Sequence, residues 1–358
     1  MKLEQLLRRA IDCGASDIFV VAGLPLTLKV RGAQQRLGEN GRLTPKDTED
    51  FAADVYRMAG REPRCVSGGA TDDDFSFSLP GVGRFRVNLF RQRGSLAAVI
   101  RVIRFGLPTA QEARIPQEVM RAAGLKKGLV LVTGQAGSGK TTTLACLIDE
   151  INRTRSGHIL TLEDPVEYIH RHNRCIVSQR EISIDCPSYV QALRSALRES
   201  PDVILLGEMR DRETMEVAMT AAETGQLLFS TLHTTGAANT IDRIIDAFPP
   251  NQQSQIRLQL SMVLQAVISQ QLVPDVNDEP IPVFEIMYMN LAIRNMIRES
   301  KTHQLEGAMA SGAAQGMRTM DTALLSLYKE GRITEETALT YCANYETMTK
   351  RLGTAVPR

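Results

Sequence analysis

Tryptophan is missing from these 358 residues, and the other aromatics are few, with seven Tyr and ten Phe. A groove for single-stranded nucleic acid needs stacking platforms and a basic lining. This chain is poor in both, because 42 Lys and Arg stand against 41 Asp and Glu for a formal charge of +1. No nucleic-acid partner is expected. Cysteine is sparse too. Cys13, Cys65, Cys146, Cys175, Cys186 and Cys342 are scattered, with no CxxC pair and no His at zinc-ligand spacing, so reduced thiols in a cytoplasmic chain are expected. Long apolar runs are also missing: nothing approaches the ~18 residues of a membrane span. The opening MKLEQLLRRAIDCGASD puts charges where a signal peptide needs an apolar core. Membrane association is therefore expected only through a protein partner, without direct insertion.

What is present is ordinary globular composition, 43% hydrophobic and 23% charged, in a chain longer than one core usually organises. Two domains are expected: residues 1–107, then a linker over 108–116 where two prolines break the periodicity, then 117–358. Leu3, Leu6, Leu7, Ala10 and Ile11 recur at helical spacing, and DIFVV and LTLKV read as strands. A helix from Thr44 to Arg57 has Thr44 as its cap and Pro45 at its first position. FSFSL and RFRVNLF form a hairpin around Pro80-Gly81-Val82-Gly83, and SLAAVIRVI continues the sheet. From Gly128 the pattern changes to buried apolar runs alternating with helices, LVLVT, HILTLE, VILLGE and LLFSTLH, as a parallel sheet covered on both faces requires. A long helix is predicted from Pro250 to about Leu272, followed by the strand IPVFEIMYM. From about residue 291 the chain reads as helical, with breaks at Gly307, Gly312, Gly316 and Gly331.

The chemistry gathers in four segments. Gly134-Gln135-Ala136-Gly137-Ser138-Gly139-Lys140-Thr141, with Thr142 next, satisfies GxxxxGK[ST] between an apolar strand and a helix. Backbone N–H groups of such a loop surround the phosphates of ATP, Lys140 reaches the β and γ oxygens, and Thr141 can ligate Mg²⁺. Pro201 to Glu208 is an apolar strand ending in an acid, with Gly207 where many P-loop enzymes carry Asp. Glu208 is then the main acid there, holding Mg²⁺ through water or polarising the attacking water. Glu163, opening the cluster Glu163-Asp164-Pro165-Val166-Glu167-Tyr168, is a second candidate base at the same edge. His233, in Ser230-Thr231-Leu232-His233-Thr234, is placed to report on the terminal phosphate through an imidazole N–H. Taken singly, each acid reads as a surface group and the histidine as structural. Their order after a P-loop reverses that preference.

In this order the segments resemble the secretion ATPase superfamily of type II secretion and type IV pili, with its Walker A loop, LEDPxE box, atypical Walker B of form PDxxLxGExRD and STLHT box. The resemblance implies a small PAS-like α+β N-terminal domain followed by a RecA-like α/β P-loop ATPase domain with a helical C-terminal segment. It assigns hydrolysis to Glu163 and Glu208 and a matching role to His233. Ala292 to Glu299 looks like the AIRNLIRE signature of PilT-type retraction motors, with Met296 for a Leu, and Gly316 to Asp321 like their GMQTMD, with Arg318 for Gln. The four-cysteine loop of assembly motors is missing, while SDIF is similar to an accessory, PilU-like branch. Arginines crowd the last N-terminal strands: Arg84, Arg86, Arg91, Arg93, Arg101 and Arg104. The family implies that two of them, matched to Arg86 and Arg101, reach nucleotide across a subunit boundary of a closed homohexamer. It also implies a PilC-like platform protein at the inner membrane, with other pilus motor subunits as further partners. Retraction motor is the leading reading. Its alternatives are an accessory or assembly motor, a nucleic-acid translocase, and a non-hydrolysing scaffold at the pilus base.

Overall fold

The computed structural model describes residues 2–30, 32–37, 41–103 and 106–353. It divides into two compact units, Met1–Gly106 with Glu167–Ile169, and Leu107–Val166 with His170–Arg358.

The first unit is a six-stranded antiparallel sheet, β1 (Ala15–Val21), β2 (Thr27–Val30), β3 (Ala33–Arg36), β4 (Asp72–Leu79), β5 (Gly83–Gln92) and β6 (Ser95–Ile103), in the order β3-β2-β1-β6-β5-β4. The short β3 carries no apolar alternation and was not expected from the sequence. Helices α1 (Leu3–Asp12) and α2 (Pro45–Ala59) join the sheet in one core. Strand alternation aims Ile18, Val20, Phe85, Val87, Leu89 and Ile100 into that core, together with Leu6 and Leu7 of α1 and Val55 and Tyr56 of α2. The cap of α2 is as predicted: Thr44 Oγ1 accepts from the Asp47 N–H at 3.2 Å, and the Asp47 carboxylate accepts from the Thr44 N–H at 2.7 Å.

The second unit holds β7 (Gly128–Thr133), β8 (Gly157–Glu163), β9 (Cys175–Glu181), β10 (Val203–Leu206), β11 (Leu227–Leu232), β12 (Leu264–Pro274) and β13 (Pro280–Tyr288), ordered β13-β12-β7-β11-β10-β8-β9. All pairs are parallel except β12 with β13. Its helices are α3 (Gln117–Met120), α4 (Lys140–Thr154), α5 (Tyr189–Ala196), α6 (Arg212–Glu223), α7 (Ala237–Asp246), α8 (Pro250–Val263) and α9 (Leu291–Arg298). After these come α10 (Leu305–Ser311), α11 (Met320–Lys329), α12 (Glu335–Tyr341) and α13 (Tyr345–Gly353). Alternate residues of single strands feed different cores. Leu129, Leu131, Ile204 and Leu206 join one, whereas Val130, Val132, Val203 and Leu205 join the other. That two-sided burial is why these strands read as continuous apolar runs. Segment 108–116 packs on this unit, with Ile115 buried and Cys146 Sγ 3.2 Å from the Pro108 carbonyl. No helix among the described residues is long and apolar enough to cross a membrane.

Besides adding β3, the fold corrects the sequence reading in three places. The helix predicted to run to about Leu272 ends at Val263, and Leu264–Pro274 is strand β12. Short apolar runs fit either period, but here β12 supplies backbone partners to both β7 and β13, which a helix could not do. Gly307 lies inside α10 rather than breaking it, since nothing stands within 4 Å of where its Cβ would be and the helix loses no packing there. Strand β9 has mixed polarity and was not expected; it is an edge strand, paired with β8 alone.

Candidate nucleotide site

The carboxyl edge of the parallel sheet gathers the predicted groups. Strand β7 ends at Thr133, the chain loops through Gly134 to Gly139, and α4 starts at Lys140. Gly134 has φ 143°, and a Cβ there would overlap the Gln270 carbonyl oxygen, so both conformation and space require glycine. Gln135, Ala136 and Gly137 are exposed at the loop tip, whereas Ser138 and Lys140 are buried beneath it. Lys140 Nζ donates to the Gly134 and Gln135 carbonyls, each at 2.8 Å. Ser138 Oγ is buried in the loop without a hydrogen-bond partner. A loop of this shape at a helix N-terminus suits phosphate oxygens. Thr141 and Thr142 follow on the first turn of α4, half-buried.

Strand order sets how far the other groups stand from this loop. Strand β11 is next to β7, β10 lies beyond it and β8 beyond that, so His233, Glu208 and Glu163 stand about 5, 10 and 14 Å away laterally at ordinary strand spacing. Register aligns Leu206 with Leu162 and with Ser230, so Glu163, Glu208 and His233 follow one aligned row by one, two and three residues, all on the carboxyl side. Glu208 Oε1 is 2.5 Å from the Arg210 guanidinium, and its Oε2 is 3.3 Å from His233 Nε2. The hydrogen bond to Glu208 pushes the Arg210 guanidinium above its ordinary pKa. Glu163 is buried, and its Oε1 accepts from Thr161 Oγ1 at 2.6 Å and from Gln179 Nε2 at 3.3 Å.

Gly207 has a steric reason. A Cβ there would stand 2.7 Å from Tyr189 Oη and 3.2 Å from the Leu162 carbonyl, so the aspartate common at this position does not fit. Burial, ahead of the nearby carboxylates, holds the Tyr189 phenol protonated well above its ordinary range. The loop that follows His233 is anchored by Glu285 of β13, which accepts from the N–H of Ala237, the first residue of α7, at 2.6 Å. Burial raises the Glu285 carboxyl above the usual carboxylate range.

The two family-implied arginines sit elsewhere, on the first unit. Arg86 and Arg101 are directly opposite one another across β5 and β6. Asp74 flanks the pair through a two-pronged contact to Arg86 at 2.8 and 3.1 Å, and Asp17 flanks it through Arg101 at 3.2 Å. Two guanidinium groups side by side repel, and the aspartates offset that repulsion. Arg104 lies outside the described residues. In α9, Ile293 and Ile297 are fully buried, while Arg294 donates to the Ser261 carbonyl and, at 3.0 Å, to the Met262 carbonyl, capping the end of α8.

Sequence reasoning missed Thr161, Gln179, Tyr189, Arg210, Glu285 and Gln270. Only Arg210 had a signal, its place two residues after the Walker B acid. Thr161 lies two residues before Glu163 on β8 but belongs to no motif, and the others reach the site from strands and helices remote in sequence.

The sequence profile of the type II/IV secretion system protein family matches residues 84–349. The chain belongs to that family. Among family members, the type IV pilus retractation ATPase PilT of Pseudomonas aeruginosa is 44% identical over 94% of this chain and 97% of its own length. The type IV pilus ATPase PilU of the same organism is 39% identical over 95% of this chain and 88% of its own length. The crystal structure of the pilus retraction motor PilT with bound ADP superposes with a TM-score of 0.89 at 44% identity, covering 98% of this chain and 99% of that one. The Legionella pneumophila ATPase DotB superposes at 0.76 with 27% identity over 94% of both chains. The expected two-part α/β architecture of this secretion family is borne out.

Proposed function

We propose that this chain is an ATP-hydrolysing motor of type IV pilus retraction, acting as a closed homohexamer at the cytoplasmic face of the inner membrane. The observation that carries this reading is the likeness, over 98% of the chain, to a pilus retraction motor solved with ADP, with every P-loop residue intact.

Water attacks the γ-phosphorus in line and ADP leaves. Lys140 is the cation at the β and γ oxygens, and its two carbonyl contacts are exchanged for phosphate when nucleotide binds. Glu163 is the base that takes the water proton, because Thr161 and Gln179 fix its carboxylate in a buried setting. Glu208 is held by Arg210 and His233, which makes it the group through which the terminal phosphate is felt at His233. The Thr141 hydroxyl and the Glu208 carboxylate are hard oxygen donors that fit Mg²⁺, which when bound neutralises phosphate charge. Arg86 and Arg101 act on the nucleotide of a neighbouring subunit, so hydrolysis requires the ring. Helix α9 transmits the resulting motion to a membrane platform protein.

Two measurements test this. Purified protein should turn over ATP as an assembled ring, and a strain lacking the gene should carry excess pili that do not retract. Turnover near zero in an intact ring favours a scaffold. Normal retraction with loss only of force or rate favours an accessory motor, the reading that the PilU likeness supports.

A further inference from the structure

Gln270 is a polar residue in the interior of β12, only 3% exposed. Register pairs Ser269 with Thr133, so Gln270 stands where β7 turns into the P-loop. Its Oε1 accepts from Thr143 Oγ1 at 2.7 Å, and Thr143 is itself buried in the first turn of α4. Its Nε2 would stand 2.8 Å from a Cβ at Gly139, and its carbonyl oxygen fills the space of a Cβ at Gly134. One side chain with its own peptide therefore meets the first glycine of the loop, the last glycine, and the helix that follows. Burying an amide is costly unless it is bonded, and an apolar side chain of equal volume would fill the place at less risk. Packing alone does not select glutamine here.

We propose that Gln270 is a positioning residue of the nucleotide site: it clamps the P-loop onto β12 and so pre-aims the loop N–H groups, without touching nucleotide itself. The inference rests on reading the P-loop as the ATP site. Glycines give the loop freedom that is lost on closing around phosphates, and a clamp that removes this freedom beforehand tightens binding. The bond between Thr143 and Gln270 should act as one unit.

The test is the affinity of a fluorescent ADP analogue for the full chain, wild type, Gln270→Met, Thr143→Val and the double variant, with melting midpoints measured without nucleotide. Methionine keeps the length and volume of glutamine but removes its amide, and valine keeps the shape of threonine. Each single change should weaken binding about fivefold to tenfold, the worth of one buried hydrogen bond, and the double should be no worse than the weaker single. Affinities within twofold of wild type overturn the proposal, as do effects that multiply in the double. A lowered melting midpoint with unchanged affinity of the folded fraction makes Gln270 a packing residue and also overturns it. Should Gln270→Met not fold, Thr143→Val removes the same bond from the other side and is read alone. Failure of the wild-type chain to bind the analogue overturns the nucleotide reading itself, and this inference with it.

Discussion

The two sheets of this chain treat burial differently. The antiparallel sheet buries one set of alternate residues under α1 and α2, so its strand interiors can carry Asp17, Asp74, Arg86 and Arg101 on the other set. The second sheet buries both sets, and Lys140, Glu163, Glu208 and His233 stand at or just past the carboxyl ends of its parallel strands. Charge in mid-strand is thus compatible with the first sheet, whereas the central parallel strands β7, β10 and β11 of the second carry none. Substitutions at the parallel edge should remove chemistry, and those on the antiparallel sheet should leave each subunit folded.

The largest effect is expected at Lys140. Lys140→Ala removes the fixed cation of the edge and should lower turnover by on the order of 10²–10³ or more, measured as phosphate release by the ring. Turnover within a factor of two of wild type would sink the P-loop assignment. Next is Glu208→Gln, which keeps shape but loses charge. ATP binding should persist while turnover falls on the order of 10²-fold, because the amide neither attracts Mg²⁺ nor pairs with Arg210. Loss of ATP binding instead would make Glu208 a structural residue of the edge.

Mixing subunits probes the other sheet. Arg101→Ala and Lys140→Ala rings should each be nearly inactive, whereas co-assembled rings should exceed the sum of the two, since an intact P-loop then meets an intact arginine next door. Arg86→Ala should behave alike. Normal assembly with only additive activity would show that the arginines act within their own subunit, and the division of labour between the sheets would fail.

Smaller effects concern packing. Gly207→Asp places a Cβ against Tyr189 Oη, 2.7 Å away, and should cost about 1–3 kcal/mol as overpacking, read as a lower melting midpoint. Adding Tyr189→Phe removes the colliding oxygen and should recover part of that loss; no recovery would place the clash at the Leu162 carbonyl instead. Smallest of all is Asp74→Asn, which weakens a half-exposed pair with Arg86 and should change stability by less than about 1 kcal/mol. A larger loss in thermal melting would mean that the antiparallel sheet depends on its charged face for its fold.

The same contrast explains how much could be read from the chain alone. The P-loop was legible because its glycines, lysine and threonine are contiguous and flanked by strand and helix. Glu163, Glu208 and His233 were legible because each terminates an apolar run. Strand β12 was misread as helix, since Leu264 to Leu272 carries no turn signal at its start and only pairing with β7 and β13 distinguishes it. That error also hid Gln270, whose meaning depends on being in the strand beside the loop. The Asp17 and Asp74 partners of the arginines were invisible for a similar reason: antiparallel register, not spacing, brings them together.

The order of residues was thus enough to specify a P-loop, the acids and histidine that follow apolar runs, and a family, because these depend on short segments whose neighbours are close in sequence. Tertiary folding was needed to rank those groups by strand, to pair Glu208 with Arg210 and His233, to bar an aspartate from position 207, and to bring Gln270 under the loop. Apart from the local Glu208–Arg210 contact, each of those outcomes depends on which elements become neighbours. Strand pairing is a long-range choice, decided by the burial of whole faces rather than by any local pattern.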